Sequence, residues 1–196
     1  GGTNRVGSDN IMIGWHADFS STGTSSSGNS KNIVIGTEAR LESNNVNNSL
    51  AMGYQSRGRN NSVALGYNAR SRADWSIAIG TNSYIQTNAL HSVVIGDSSQ
   101  TVEDFAVALG AYAKAMDDSS VAIGARSWGT GSRSTLIGFG ANSANTRAIA
   151  IGDSARANGN NSIAIGSGAQ VLANNEVYVG NNSTASIGGA VNWTAT

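Results

Sequence analysis

The groups that could do chemistry in this chain are few: twelve carboxylates, two histidines and no cysteine among 196 residues. Without cysteine there is no thiolate metal site, no disulfide framework and no cysteine nucleophile. Cleaving a glycan takes two carboxylates within about 5–10 Å of each other. Asp97 and Asp153, each directly after a recurring glycine, are four repeat units apart, about 19 Å on the spacing of stacked strands. Asp117 and Asp118 are neighbours in a turn, where acids are ordinarily solvated. The histidines, His16 and His91, are far apart in sequence. No cofactor or metal is expected. Binding is better served than catalysis: Trp15, His16 and Phe19 flank a Ser/Gly-rich stretch and suit an aromatic platform for a sugar or peptide. The alternative is a cap over the first coil, since terminal repeats of a solenoid are irregular. Tyr84, Tyr112 and Trp128, with Trp75, fall at turns or outward positions, where they serve either a ligand or a neighbouring protomer. Arg40, Arg57, Arg59, Arg70 and Arg72 form a basic strip suited to an anionic glycan or to pairing with acids.

These side chains are positioned by a repeat. A small polar residue, an aliphatic, a small apolar residue, a second aliphatic and a glycine recur twelve times, ending at Gly14, Gly36, Gly53, Gly66, Gly80, Gly96, Gly110, Gly124, Gly138, Gly152, Gly166 and Gly180. From Gly96 onward the spacing is 14 residues every time. A fixed period over most of a chain means a stacked solenoid. Charged residues are 12% and apolar residues 39%, which excludes disorder. A net charge of zero gives no field to gather nucleic acid. No apolar run is long enough to insert into a membrane as a helix.

Within a unit such as Ser120-Val121-Ala122-Ile123-Gly124, the alternation and the β-branched residues predict a short strand. A corner follows at the glycine, then a second short strand and an Asn/Ser/Gly turn. Each coil is thus two strands and two turns, and twelve coils at about 4.8 Å make a rod of roughly 50–55 Å. The aliphatics either side of the central small residue are expected to face into the roll. The central residue then faces outward, and it is apolar in nearly every unit. Ala51, Ala64, Ala78, Val94, Ala108, Ala122, Ala150 and Ala164 are therefore expected to line the axis of a symmetric homo-oligomer.

The phrases Ser62-Val63-Ala64-Leu65-Gly66, Ser120-Val121-Ala122-Ile123-Gly124 and Ser162-Ile163-Ala164-Ile165-Gly166 resemble the head repeats of trimeric autotransporter adhesins. That resemblance implies an all-β fold, a left-handed parallel β-roll solenoid three chains wide, with a homotrimer as the working unit. It covers about residues 8–184, leaving 1–7 and 185–196 as junctions and 15–31 as a loop insertion in an irregular first coil. The segment Glu176-Val177-Tyr178-Val179-Gly180 running into Ser186-Ile187-Gly188-Gly189-Ala190-Val191-Asn192-Trp193-Thr194 departs from the adhesin pattern. It resembles the stretch before the self-cleaving intramolecular chaperone of phage tail fibres and related bacterial fibres. The run Ile165-Gly166-Ser167-Gly168-Ala169-Gln170 resembles a hexapeptide repeat of β-helix acyltransferases, but a 14-residue coil holds two strands where those enzymes need three repeats per coil.

The expectation is a non-enzymatic trimeric fibre segment at the cell surface or on a virion tail fibre. Its partners are itself and an unidentified cell-surface protein or glycan, with no nucleic acid and no membrane insertion. A tail-fibre shaft, a passive spacer and, remotely, an acyltransferase are the alternatives.

Overall fold

A three-residue strand flanked by a small polar residue and a glycine cannot hold itself together. It is stable only when its main-chain groups pair with the same strand in the coils above and below. The structure, a computed structural model, describes residues 8–19, 28–43 and 45–180. In it the pairing runs from Ile11–Ile13 to Val177–Val179: twelve such strands form one parallel sheet in chain order. The second strands of the coils, from Arg40–Leu41 to Gln170–Val171, form a parallel sheet of ten. The registers never slip, so equivalent residues stack in columns, as in Val107↔Val121 and Ala108↔Ala122. The turns join the ladder too: the Tyr112 amide donates to the Asp97 carbonyl at 2.8 Å. Among the described residues no helix is long and apolar enough to cross a membrane.

Each repeat glycine holds a φ between +105° and +143°, a region open almost only to glycine. The columns are also too tight for a side chain. A Cβ on Gly110 would lie 2.7 Å from the carbonyl carbon of Gly124 in the next coil.

The first strand is turned the other way round from the sequence expectation. Ala51, Ala64, Ala78, Val94, Ala108, Ala122, Ala150 and Ala164 are all fully buried inside the single chain, so they cannot line an axis between chains. They face small residues of the second strand, such as Ala113 and Ala115, which are equally buried. The flanking aliphatics point outward: Ile13 is 59%, Ile95 42% and Ile165 36% exposed. The reason is volume. Two short strands closed by two tight turns bring the facing strands close together, so a Cβ added at Gly58 would lie only 3.7 Å from the Ala51 Cβ. Alanine and serine fill the interior, and a row of isoleucines does not fit. Where one strand does bring in a large residue the other yields: Leu136 stands in the alanine column, and a Cβ added at Gly129 would collide with its Cδ1.

Phe19 is a second correction. It lies at the inward position of its coil and is buried with Val34, Leu41 and Val46, so it belongs to the core and not to a surface platform. The buried hydroxyls are mostly satisfied locally, as when the Ser127 Oγ donates to the Gly124 carbonyl at 2.8 Å. Residues 20–27 of the inserted loop, the C-terminal segment after Gly180 and the first seven residues lie outside the described residues.

Candidate functional site

With the interior filled by small side chains, function is confined to three outer surfaces. The first is the outer face of the twelve-stranded sheet. Its two outward columns are aliphatic in every coil except for Met52 and Thr135. A continuous uncovered apolar sheet face of this length marks an interface.

The second surface is the outer face of the ten-stranded sheet. Arg40, Arg57 and Arg70 stack in register, and Tyr84 follows Arg70 in the same column. Glu42 lies beneath them with its side chain 9% exposed, and it accepts from Arg57 Nη1 at 3.1 Å and from Arg72 Nε at 2.6 Å. Arg59 Nε sits 3.7 Å from Asp74 Oδ1. The hydrogen bond to Glu42 holds Arg72 above the usual arginine range. Burial, and next the neighbouring Arg57 guanidinium, push Arg70 below it.

The third surface comprises the turns. Each regular coil has a left-handed residue two after the glycine and another five before the next glycine. Asn and Asp adopt that conformation at little cost, whereas bulky residues rarely do. Yet Trp75, His91 and Phe105 hold it at φ of 53°, 56° and 55°. Their rings form a continuous stack, 5.2 Å and 5.3 Å between centroids and within 6° of parallel. The coil from Gly80 to Gly96 is two residues longer than its neighbours, and the extra residues are absorbed before His91, which keeps its place in the column. At the opposite turn Tyr54 and Tyr67 stack at 5.2 Å.

Of the residues singled out from sequence, Trp15 and His16 do meet, ring centroids 3.8 Å apart, at an exposed turn. Without Phe19 they make no platform of three. Tyr84, Tyr112 and Trp128 are not brought together. The Tyr84 hydroxyl accepts from Arg72 Nη1 at 3.3 Å. Trp128 lies in the same column with Gln100 and Lys114 between them, and Lys114 Nζ is 5.8 Å from its ring. Tyr112 occupies a turn and is 52% exposed. The two ring stacks were missed in the sequence. Aligning each residue to its nearest glycine would have revealed them, because Tyr54 and Tyr67 each directly follow one. Among the described residues no group of three His, Cys, Asp or Glu side chains is gathered as for a metal ion.

Four stretches of the chain, 60–83, 88–113, 103–127 and 143–169, match the YadA head domain repeat. Among solved structures, the chain is similar to the collagen-binding domain of the Yersinia adhesin YadA. The two share 24% sequence identity with a TM-score of 0.52, over 76% of this chain and 74% of that one. No curated protein sequence matches the chain.

Proposed function

We propose, from the match of four stretches of the chain to the YadA head domain repeat, that it is a non-enzymatic segment of a homotrimeric fibre adhesin, working outside the cell. The observation that carries the proposal is the aliphatic outer face of the long sheet. A single chain would leave that face in water along the whole rod. Burying each half-exposed isoleucine is worth about 1–2 kcal/mol, discounting for the part already covered. Identical columns on identical chains cover one another most simply around a symmetry axis. Three copies meeting on their long sheets then turn the short, polar sheets and the turns outward. The surface so presented is rigid, repeated along the rod and replicated around it, which converts weak contacts into avidity. The alanine columns take no part in the axis; they set the thickness of each roll.

Similarity to a collagen-binding domain makes collagen the first ligand to test, and protein or glycan of a cell surface the wider class. Light scattering over a range of concentrations should give three times the chain mass of 20.0 kDa. The same preparation is then tested for adhesion to collagen-coated and cell-coated surfaces. A trimer that adheres to neither is a spacer, and a stable monomer removes the basis of the proposal.

A further inference from the structure

We infer that the outer face of the short sheet carries a binding strip for a sulfated glycosaminoglycan chain, formed by Arg40, Arg57, Arg70 and Tyr84. The inference rests on the adhesin reading and names a ligand class for it. It starts from an electrostatic cost. Like charges directly opposed across a parallel pair destabilise a sheet, and here three guanidinium groups are opposed in successive coils at about 4.8 Å per step. Nothing in the roll requires it, since the same column holds Gln100, Asn142 and Gln170 in other coils.

The ion pairs of the strip engage only some of its arginines. Glu42 is shared between Arg57 and Arg72, and Asp74 stands beside Arg59. Among the described residues those ion pairs leave out Arg40 and Arg70. The Nε atoms of Arg40 and Arg57 are buried without a hydrogen-bond partner and Arg70 Nε donates to Asn68 Oδ1 at 3.0 Å, so a ligand on this face would be met by the terminal Nη groups. Burial is the main cause that depresses Arg70, and the neighbouring Arg57 guanidinium adds to it. Planar guanidinium groups in a fixed row suit sulfate and carboxylate oxygens, which they bind through paired N–H donors.

The end of the row selects the kind of polyanion. After Arg70 the column offers the ring of Tyr84, tethered through its hydroxyl to Arg72. An aromatic ring packs against the apolar face of a pyranose, so anionic groups followed by a sugar face match the sequence of partners along the column. A nucleic acid fits less well. The chain has no net charge to draw in a long phosphate backbone. Asp18, which precedes Arg40 in the column, and Glu42 and Asp74 interrupt any longer cationic track. The strip lies on the face opposite the aliphatic columns, so assembly through those columns leaves it open.

The test measures binding of the purified assembled chain to a heparin oligosaccharide in solution. Parallel arms use duplex DNA of equal charge, inorganic polyphosphate and collagen. Wild-type protein should bind the oligosaccharide more tightly than the DNA. The pair R40Q/R70Q removes two charge-assisted contacts and should weaken binding at least about tenfold. The control pair R133Q/R147Q makes the same charge change at exposed turns and should leave binding within about twofold. Y84A should weaken the oligosaccharide several-fold and leave polyphosphate unchanged. Should R40Q/R70Q prove poorly folded, R40K/R70K keeps the charge, removes the planar fork and is expected to lose affinity as well. Equal losses in the two charge pairs, unchanged binding in R40Q/R70Q, or DNA binding as tightly as the oligosaccharide would each overturn the inference. Wild-type protein that ignores heparin but adheres to collagen defeats this inference alone. A trimer that binds neither collagen, cells nor heparin is a spacer and defeats this inference together with the adhesive role, and a stable monomer defeats the trimeric fibre reading itself.

Discussion

Leu136 and Gly129 give the most direct test of how the roll is filled. Leu136 sits in the inward column between Ala122 and Ala150 and is fully buried. Leu136→Ala removes buried methyl groups from a site whose walls are main chain held in register, so little collapse is available. The loss should be about 2–5 kcal/mol per chain. Gly129→Ala alone drives a methyl group into Leu136 Cδ1 and should cost about 1–3 kcal/mol by overpacking. The double variant makes an Ala–Ala pair of the kind already present and fully buried at the equivalent positions Ala115/Ala122 and Ala157/Ala164. Its loss should therefore be smaller than the sum of the single losses by roughly 1–3 kcal/mol. The assay is chemical denaturation followed by far-UV circular dichroism, at one fixed protomer concentration because assembly contributes to apparent stability. Losses that add to within about 0.5 kcal/mol would mean that the two residues do not share space. That result would refute the inward orientation of the alanine column. A leucine pointing to an axis between chains would change the oligomer's mass and show no coupling to Gly129.

Four further outcomes follow. Ile95→Asp on the outward aliphatic face should dissociate the assembly, read as a fall in light-scattering mass toward the 20.0 kDa of one chain, because an unpaired carboxylate would be buried in an apolar interface. Gly110→Ala, with its Cβ 2.7 Å from Gly124 backbone and φ of +130°, should destabilise by at least about 3 kcal/mol or abolish folding, measured by the denaturation midpoint. Phe105→Asn exchanges one ring stack of about 0.5–1.5 kcal/mol for a residue at ease in the left-handed region. Its melting temperature should therefore change little, while the fluorescence of Trp75 in the remaining stack shifts with solvent exposure. Glu42→Gln strips two partly exposed arginines of their shared carboxylate and should cost about 1–2 kcal/mol at low salt, less at high salt.

The repeat, the strand–corner–strand–turn order and the parallel stacking were all legible in the sequence. Each follows from a local rule: glycine for a φ that other residues rarely adopt, period-two alternation for a strand, Asn and Ser for the turns. The columns follow from the fixed period, so the arginine row is legible in the sequence. Alternation, however, assigns residues to two faces without saying which face is inside. Val121-Ala122-Ile123 reads equally well with valine and isoleucine in or with alanine in. The hydrophobic rule favours the larger residues and is overruled here by the width of the roll. Phe19 was misread for a related reason: its exposure depended on whether its coil was regular, and only the folded chain shows it at the inward position, buried with Val34 and Val46. The stacks of Trp75, His91 and Phe105 needed the coils aligned across an insertion of two residues. The sequence by itself thus determined the solenoid, its period and a first strand that is apolar on both faces. The tertiary structure alone decided which residues form the outer face, because closing two short strands into a roll leaves room inside for methyl groups and hydroxyls and sends the isoleucines outward.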